Sequence, residues 1–283
     1  MKKLLAAMAL VTAACGGGGS DASDGELGAQ GEELSTHSIP NIDDALPWST
    51  CGNCANTGAS GATAYTSFVH GSKSEDGTGV LNAVGEGIPG ANHPPYGDAY
   101  WWKEHGALPS LVRSVDYYLD LYVPSNADPQ GIEFEVQQTI GDRVYNFAWQ
   151  DDYAENEWRV FQYGGPGAGR WIASGLSATR FTPNTWHSIH AHYSVDTSTS
   201  PDTIRHDYLE IDGHRFTTNA KVVAWHSPKP RGSQLSNAVQ LDMRAVPCTA
   251  GSSPSCQQGK DGKWRVGIPF HVYWDKIHVT YAL

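Results

Sequence analysis

The chain has 283 residues, of which 19 are basic and 30 acidic, giving a formal net charge of −11 at pH 7. This acidic balance disfavours nucleic acid, anionic membrane surfaces and polyanionic substrates as partners. With 31 glycines, 16 prolines and 11% aromatic residues, the composition is typical of an extracellular all-β domain with many turns, and the chain is long enough for one large sandwich.

The N-terminal segment predicts export of the protein. Lys2 and Lys3 precede a short apolar run that ends in small residues, so residues 1–14 have the layout of a secretory signal peptide and are too short to span a bilayer. Cys15 follows directly and resembles the lipidated cysteine of bacterial lipoproteins, although Thr12 stands where a larger aliphatic residue is usual. We therefore expect a lipoprotein anchored to the membrane or cell surface, the alternative being a soluble secreted protein cleaved nearby.

Residues 15–45 are expected to be a flexible linker that begins with the lipidated cysteine. They open with four glycines and a serine, and the remainder is rich in small and acidic residues with few apolar ones. No second apolar stretch reaches spanning length, so the lipid is expected to be the only anchor. The folded domain is expected to occupy residues 46–283.

Four further cysteines predict two disulfide bonds, because an even number of cysteines in an exported protein usually pairs. Proximity in sequence favours Cys51 with Cys54 and Cys248 with Cys256. The second pair is spaced too widely for a zinc site built from two close pairs. No βαβ pattern surrounds the first pair, so a thiol redox role is disfavoured.

Strand signals follow one another along the chain, separated by Gly, Asn, Asp and Pro. Asp212-Gly213 predicts a two-residue hairpin turn, and no segment shows helical periodicity over three turns. We therefore predict an all-β fold, a two-sheet antiparallel β-sandwich of the jelly-roll kind. The predicted strands cover residues 63–69, 116–123, 131–139, 143–150, 157–163, 170–174, 186–195, 206–212, 214–217, 238–243 and 273–282.

Residues 131–139 carry the most informative pattern. Apolar side chains alternate there with Glu133, Glu135 and Gln137, which are expected to form a row with a spacing of ~6.6 Å on the face away from the core. Adjacent carboxylates repel each other, so this row suits the floor of a sugar-binding cleft better than an ordinary solvated face. An ordinary polar face is the alternative.

Other strands offer side chains that would complete such a cleft. Sugar C–H surfaces pack on indole rings, while hydroxyl groups form hydrogen bonds with short polar side chains. Packing in the core is the alternative for any single tryptophan, and two consecutive residues of a strand cannot both point inward. The candidate substrate-binding residues are Gln137, Asp120, Trp101, Trp102, Trp158, His190 and His192.

Several stretches resemble the concanavalin A-like lectin/glucanase superfamily. They are residues 118–123, 132–138, 186–190 and 273–279, and the similarity covers about residues 48–283. More narrowly, residues 98–102 followed by residues 133–138 are similar to a group of exported bacterial proteins to which no function is attached. The resemblance implies a jelly-roll sandwich, but the superfamily contains lectins, hydrolases and lyases alike.

Within that superfamily, glycoside hydrolases of the laminarinase/lichenase type carry Glu, Asp and Glu at alternating positions of one strand. The resemblance implies that Glu133 would be the nucleophile and Glu135 the electrostatic helper. Gln137 stands at the acid/base position, and an amide cannot donate and recover a proton. A retaining hydrolase would therefore need another carboxyl group ~5–5.5 Å from the nucleophile. The candidates are Glu157, Asp120 and Asp242.

A polysaccharide lyase would use a different set of residues. Gln137 with His190 or His192 and Tyr145 matches the residue types of jelly-roll lyases, and histidine titrates near working pH. The two histidines also suit a metal pair, but two ligands do not define a site. A structural Ca²⁺ involving Asp275 or Asp116 is compatible with such a sandwich, and no cofactor is required.

Taken together, the patterns predict a surface-anchored carbohydrate-binding domain that engages a polysaccharide or oligosaccharide in a cleft. The alternatives are an endo-acting glycoside hydrolase with catalytic Glu133 and Glu135, a polysaccharide lyase, and a structural or adhesion protein of the cell surface.

Overall fold

Alternation of apolar and polar residues along the chain produces strands throughout the structure. The computed structural model describes residues 34–44, 47–52, 62–68, 75, 81–87, 96–165, 168–253, 256–258, 262–267 and 270–283, and residues 34–283 form one compact unit. The described part contains no helix that is long and apolar enough to cross a membrane.

The first strands are Thr36–Ile39 (β1), Ser49–Gly52 (β2), Ala62–Phe68 (β3), Leu81–Gly87 (β4), Tyr96–Gly106 (β5), Ser114–Tyr122 (β6), Pro129–Gly141 (β7), Arg143–Asp152 (β8), Glu157–Gln162 (β9) and Arg170–Ser177 (β10). The remaining strands are Trp186–Asp196 (β11), Thr203–Ile211 (β12), His214–Thr217 (β13), Lys221–Val223 (β14), Trp225–His226 (β15), Gly232–Pro247 (β16), Gln257–Gln258 (β17), Trp264–Gly267 (β18) and Phe270–Ala282 (β19).

These strands form two antiparallel sheets, so the predicted two-sheet β-sandwich is confirmed. The nine-stranded sheet has the order β13-β12-β11-β6-β19-β4-β3, with β1 beside β19 and β14 beside β12. The ten-stranded sheet has the order β10-β9-β8-β7-β16-β18-β17. In that sheet β5 also pairs with β16, β2 pairs with β5, and β15 pairs with the start of β8.

The core lies between the two sheets and is rich in aromatic rings. Tyr117 of β6 meets Phe134 of β7 edge-on at 5.8 Å, and Phe147 of β8 meets Tyr193 of β11 at 5.5 Å between ring centroids. All four side chains are fully buried. Side chains alternate between the two faces of a strand, so the residues directly before and after each of these four point to the outer face of their sheet.

The Asp212-Gly213 hairpin is confirmed. Ile211 pairs with His214, and both turn residues have positive φ, 50° and 77°. Positive φ at both central positions is the geometry that Asp-Gly favours in a two-residue turn.

Strand β16 is much longer than the segment predicted at residues 238–243. It extends back to Gly232 because β7 pairs with it from Gly232 onward, and β5 pairs with its other edge from Leu235 onward. Its early residues are mostly polar and lack the apolar alternation on which the prediction relied.

The predicted linker ends earlier than residue 45. Strand β1 pairs with the end of β19, and the Ile42 backbone N–H donates to the Ile277 carbonyl at 2.8 Å. In return Asp43 Oδ1 accepts the Ile277 N–H at 2.7 Å. Residues 34–44 therefore belong to the sandwich, because backbone pairing compensates for their low apolar content.

One predicted disulfide bond is confirmed. Cys248 and Cys256 are bonded, with their Cα atoms 6.1 Å apart. The Cys51–Cys54 bond stays a prediction because Cys54 lies outside the described residues. The signal peptide and Cys15 also lie outside them.

Candidate functional site

Glu133, Glu135 and Gln137 lie on the outer face of the ten-stranded sheet, because the residues between them face the core. On one side of this row, β8 places Gln150, Ala148 and Asn146 opposite them, in that order. On the other side, β16 places Gln240, Ala238 and Ser236 opposite the same three residues. We call this outer surface of β7, β8, β16 and β5 the polar face.

Two carboxylates share one amide on the polar face. Gln150 Nε2 donates to Glu133 Oε1 at 2.6 Å and to Asp242 Oδ2 at 3.0 Å. The two carboxylate oxygens are therefore no farther apart than the sum of those distances. The ~5–5.5 Å between the carboxyl groups of a retaining glycosidase falls within that limit.

The backbone of β7 makes room for this arrangement at Gly131, which is paired with Asp242 on β16. A Cβ atom on Gly131 would lie 3.0 Å from Asp242 Oδ2 and 3.1 Å from Gln150 Nε2. These contacts are tighter than ordinary van der Waals contact, so glycine allows the amide and the carboxylate to approach each other.

Glu135 has its own set of donors. The Tyr100 hydroxyl donates to Glu135 Oε1, and Asn146 Nδ2 donates to Oε2 at 3.0 Å. Burial raises the pKa of Glu135, and these two hydrogen bonds act in the opposite direction. Burial and the neighbouring Glu135 carboxylate raise the pKa of Tyr100, so Tyr100 remains a protonated donor.

The polar side chains of this face are largely shielded from solvent although they point away from the core. This low exposure distinguishes them from an ordinary solvated surface, and we call them, together with Glu135, Ala148 and Ala238, the floor. The exposed fractions are 8% for Glu133, 4% for Gln150, 3% for Asn146, 7% for Gln240 and 6% for Asp242.

Aromatic rings flank the floor on both sides. Trp102 of β5 is paired with Ala238 and stacks on Tyr100 at 5.5 Å. On the other side, Val160 of β9 is paired with Trp149 of β8. The two strands are antiparallel, so the next residue of β9, Phe161, lies beside Ala148. The row from Phe161 through Ala148, Glu135 and Ala238 to Trp102 thus has an aromatic ring at each end and small residues beside the acid.

The alternation within β8 was a signal that sequence reasoning did not use. Asn146, Ala148 and Gln150 alternate with three buried aromatic residues of the same strand. Period-two alternation was sufficient to place them on an outer face, but it does not reveal that this face adjoins Glu133. Tyr100 was likewise missed, because its contact with Glu135 spans the intervening strand β16.

Two of the three tryptophans predicted to contact substrate are in the core, which corrects the prediction. Trp101 is 0% exposed and Trp158 is 1% exposed. Trp158 packs edge-on against Phe134 and Trp149. Of the predicted set, Trp102 is the tryptophan that faces outward, as expected for one of two consecutive strand residues.

Asp120, His190 and His192 were predicted to join the same cleft, but they lie on the outer face of the other sheet. Asp120 is on β6 and the two histidines are on β11. Asp116 Oδ1 accepts hydrogen bonds from His190 Nε2 at 2.7 Å and His192 Nδ1 at 2.9 Å. The whole thickness of the sandwich therefore separates them from Glu133. Sequence alternation assigns faces within a strand and cannot assign strands to sheets.

Of the acids considered as a second carboxyl group, Asp242 is the one that lies next to Glu133. Asp120 is paired with Lys276 at 3.0 Å on the opposite sheet. Glu157 lies on the outer face of β9, 3.4 Å from Arg159 Nε.

The lyase constellation is not assembled. His190 and His192 lie on the opposite sheet from Gln137, and the Tyr145 hydroxyl donates to Asp202 Oδ2 at 2.5 Å. Tyr145 faces the core side of β8, so it does not share a face with Gln137.

The two aspartates considered for Ca²⁺ are both hydrogen-bonded. Asp275 accepts the backbone N–H groups of Glu75 and Lys276, at 2.7 Å and 3.0 Å. Asp116 accepts the two histidines described above, and these hydrogen bonds lower its pKa although burial alone would raise it. Within the described ranges, no group of three or more His, Cys, Asp or Glu side chains is arranged to hold a metal ion.

No protein-family model and no curated protein matches the sequence. Solved structures do match the fold. A carbohydrate-binding module of the β-sandwich superfamily has 11% identity and a TM-score of 0.37, and the match covers 83% of this chain and 58% of that one. The chain thus spans little more than half of that protein.

Two enzymes are also similar to this chain. Alginate lyase vAL-1 from Chlorella virus has 10% identity and a TM-score of 0.40, covering 83% of this chain and 93% of the enzyme. An endo-1,3-beta-glucanase from Streptomyces sioyaensis has 12% identity and a TM-score of 0.36, covering 86% and 96%. At these identities and TM-scores, the activity must be inferred from this chain's own side chains.

Proposed function

We propose that the protein binds a polysaccharide on the polar face of its ten-stranded sheet. The observation that carries the proposal is the hydrogen-bonded floor around Glu133, Gln150 and Asp242, bordered by Trp102. Carboxylates and amides accept and donate hydrogen bonds to hydroxyl groups, and an indole face packs against the C–H surface of a sugar ring. A shielded polar floor with aromatic borders offers both kinds of contact.

Low solvent exposure strengthens the hydrogen bonds that such a floor can form. Polar groups that are shielded from solvent lose less to competition with water, and their existing network holds them in position. Glu135 illustrates this, since Tyr100 and Asn146 fix both of its oxygens. A preorganised floor loses little conformational entropy on binding a glycan.

Binding is tested with the purified protein and a panel of laminarin, lichenan, xylan, galactomannan and alginate, measured by affinity electrophoresis and calorimetry. We expect at least one polysaccharide to bind. Trp102→Ala and Gln137→Ala should each weaken that binding by about tenfold, the equivalent of ~1.4 kcal/mol.

Trp186→Ala is the matched control, because Trp186 is a partly exposed tryptophan of the nine-stranded sheet. It should leave binding unchanged. The absence of binding to every panel member would contradict the proposal, and so would equal losses in the control. A structural or adhesion role predicts that no polysaccharide of the panel binds.

Glycoside hydrolysis is a second candidate, and Asp242 is the observation that favours it. Its carboxyl group could serve as the acid/base, which the amide of Gln137 cannot do. Asp242 also lies close to Glu133, because both accept a hydrogen bond from Gln150 Nε2. In such a reaction Glu133 would be the nucleophile and Asp242 the acid/base.

Hydrolysis is tested by reducing-sugar release from the panel. If the protein is a hydrolase, Glu133→Gln and Asp242→Asn should each reduce release by about 100-fold or more while binding persists. Glu210→Gln on the opposite sheet is the control for the charge change. No release by the unmodified protein would leave binding as the function. An unsaturated product with ultraviolet absorbance would instead indicate a lyase.

We also propose that the protein is exported and anchored through a lipid on Cys15. The basic, apolar and small-residue order of residues 1–15 supports this proposal. Metabolic labelling with a fatty acid should mark the protein in cells, and Cys15→Ala should abolish the label and release the protein from membranes. Labelling that survives this substitution would contradict the proposal.

A further inference from the structure

Four half-buried aromatic side chains continue the outer face of the ten-stranded sheet beyond the floor. Their ring centroids lie 4.9 Å apart for Trp171 and Phe161, 6.3 Å for Phe161 and Tyr163, and 5.3 Å for Tyr163 and Trp225. We call these four residues the aromatic ridge. It forms an unbroken series of rings from β10 to β15.

The register shows that the ridge belongs to the same surface as the floor. Trp171 is paired with Phe161, which stands beside Ala148 of the floor. At the other end, Trp225 is paired with Val144 of β8. Val144 precedes the core-facing Tyr145, so Trp225 points to the outer side together with Asn146 and Ala148.

The ridge ends in a cavity of about 510 Å³. Such a volume lies within the range of about 300–1,000 Å³ that is usual for ligand sites. The cavity combines apolar walls with hydroxyl and imidazole groups, and among the residues that line it are Tyr163, Trp225, Pro201, Ser200, Val223 and His226.

Two features hold the cavity walls in place. Gln162 Nε2 donates to the Val223 carbonyl at 2.9 Å, and its Oε1 accepts the Val223 N–H at 2.8 Å, which fixes the end of β9 against β14. A Cβ on Gly165 would lie 2.8 Å from Trp225 Cζ2, so the loop backbone rests directly on the indole ring. Gly165 also has φ of 100°, which favours glycine.

We propose that the aromatic ridge and its terminal cavity extend the glycan site, so that the protein recognises a polymer chain and not a terminal sugar. This inference rests on the proposed function. Successive rings offer apolar surface to successive sugar units, while the serine hydroxyl and the histidine ring in the cavity offer hydrogen bonds to sugar hydroxyls. A short oligosaccharide on the floor would not reach the cavity, whereas a long one would contact both.

The test measures the dissociation constants of an oligosaccharide ladder, from disaccharide to octasaccharide, prepared from the panel polysaccharide that binds. Affinity should rise with length in the unmodified protein. Trp225→Ala and Trp171→Ala should each weaken binding of the longest oligosaccharides by about tenfold and leave the shortest unchanged. Trp102→Ala should weaken short and long ones alike, and Trp186→Ala should affect neither.

The two proposals fail in different ways. Equal affinity for short and long oligosaccharides would overturn the ridge proposal, and so would unchanged binding of the long ones to both ridge variants. In either case the proposed site on the floor would stand if Trp102→Ala still weakened binding. Absence of any binding would overturn both proposals. Because Trp225 supports a loop, its variant is checked by thermal unfolding, and Trp171 on the edge strand β10 provides an independent measurement.

Discussion

His206 is a titratable group placed entirely inside the sandwich. Its Nε2 donates to the Ala148 carbonyl of the opposite sheet at 3.2 Å, and its ring packs edge-on against Trp149 and Tyr193. Within the described part of the chain its Nδ1 has no hydrogen-bond partner. Burial lowers the pKa of His206 to about 3, because a second proton would place an unpaired charge in the core.

We predict that His206 makes the fold sensitive to acid. The unfolded chain binds a proton near pH 6.5 and the folded chain only near pH 3, so stability is lost as pH falls through this window. His206→Gln keeps a donor without the titration. The free energy of unfolding should therefore fall less steeply between pH 6 and pH 4 in the variant, by up to about 1.4 kcal/mol per pH unit. Urea unfolding across this range checks the slope, and parallel curves would contradict the prediction.

Asp151 has the opposite pH dependence. It is fully buried, its Oδ1 accepts the Thr179 N–H at 3.1 Å, and burial raises its pKa to about 8. The folded state retains a proton that the unfolded chain releases near pH 4, so stability falls as pH rises from about 4 to about 8.

Asp151→Asn should remove that loss. The variant should gain stability relative to the unmodified protein as the pH is raised from 5 to 8, because the amide keeps an acceptor for Thr179 and never ionises. Thermal unfolding at a series of pH values measures the difference. A difference that stays constant with pH would show that Asp151 does not bind a proton in the folded state.

In strand β7, the hydrogen bond between Gln150 and Asp242 depends on the lack of a side chain at Gly131. Gly131 lies two positions before Glu133 on the outer face, and its lack of a Cβ leaves space for Asp242 and Gln150. The row Glu133, Glu135 and Gln137 is therefore preceded on the same face by a position without a side chain, which Asp242 and Gln150 need in order to approach each other. Strand geometry alone would have allowed any small residue there.

We predict that Gly131→Ala impairs glycan binding more than it impairs folding. The new Cβ would press on Asp242 Oδ2 and Gln150 Nε2 and displace the shared amide. Overpacking of this kind costs about 1–3 kcal/mol, and we expect about tenfold weaker binding with a cooperative unfolding transition. Gly131→Ser should have a larger effect because it adds a hydroxyl to the same position. Undiminished affinity for the glycan in both variants would contradict this prediction.

At the scale of the whole molecule, the two sheets divide the chemistry between two surfaces. The ten-stranded sheet carries the acid and amide floor, whereas the nine-stranded sheet carries a stacked group in which Tyr118 lies between His190 and His278 at 3.9 Å and 4.3 Å. Substitutions on one surface therefore provide controls for the other.

The Cys248–Cys256 bond closes the loop after β16, where the Cys248 N–H also donates to the Trp264 carbonyl at 3.1 Å. Replacing both cysteines by serine should lower the free energy of unfolding by about 2–3 kcal/mol, because the loop regains entropy in the unfolded chain. Urea unfolding measures this loss. The double variant is more informative than a reducing agent, which would also act on the bond predicted at Cys51. A double variant as stable as the unmodified protein would contradict the prediction.

The amino-acid pattern was sufficient to predict β3, β6 to β13, β19 and part of β16, as well as the Asp212-Gly213 turn and the outward direction of Glu133, Glu135 and Gln137. These features depend on alternation and local backbone preference, which a single segment contains. The pairing and packing of the strands placed Gln150 and Asp242 beside Glu133, Trp158 in the core, and His190 and His192 on the other surface. Strand pairing joins residues far apart in the chain, so the composition of each face is fixed by the packing of two sheets and by no local pattern.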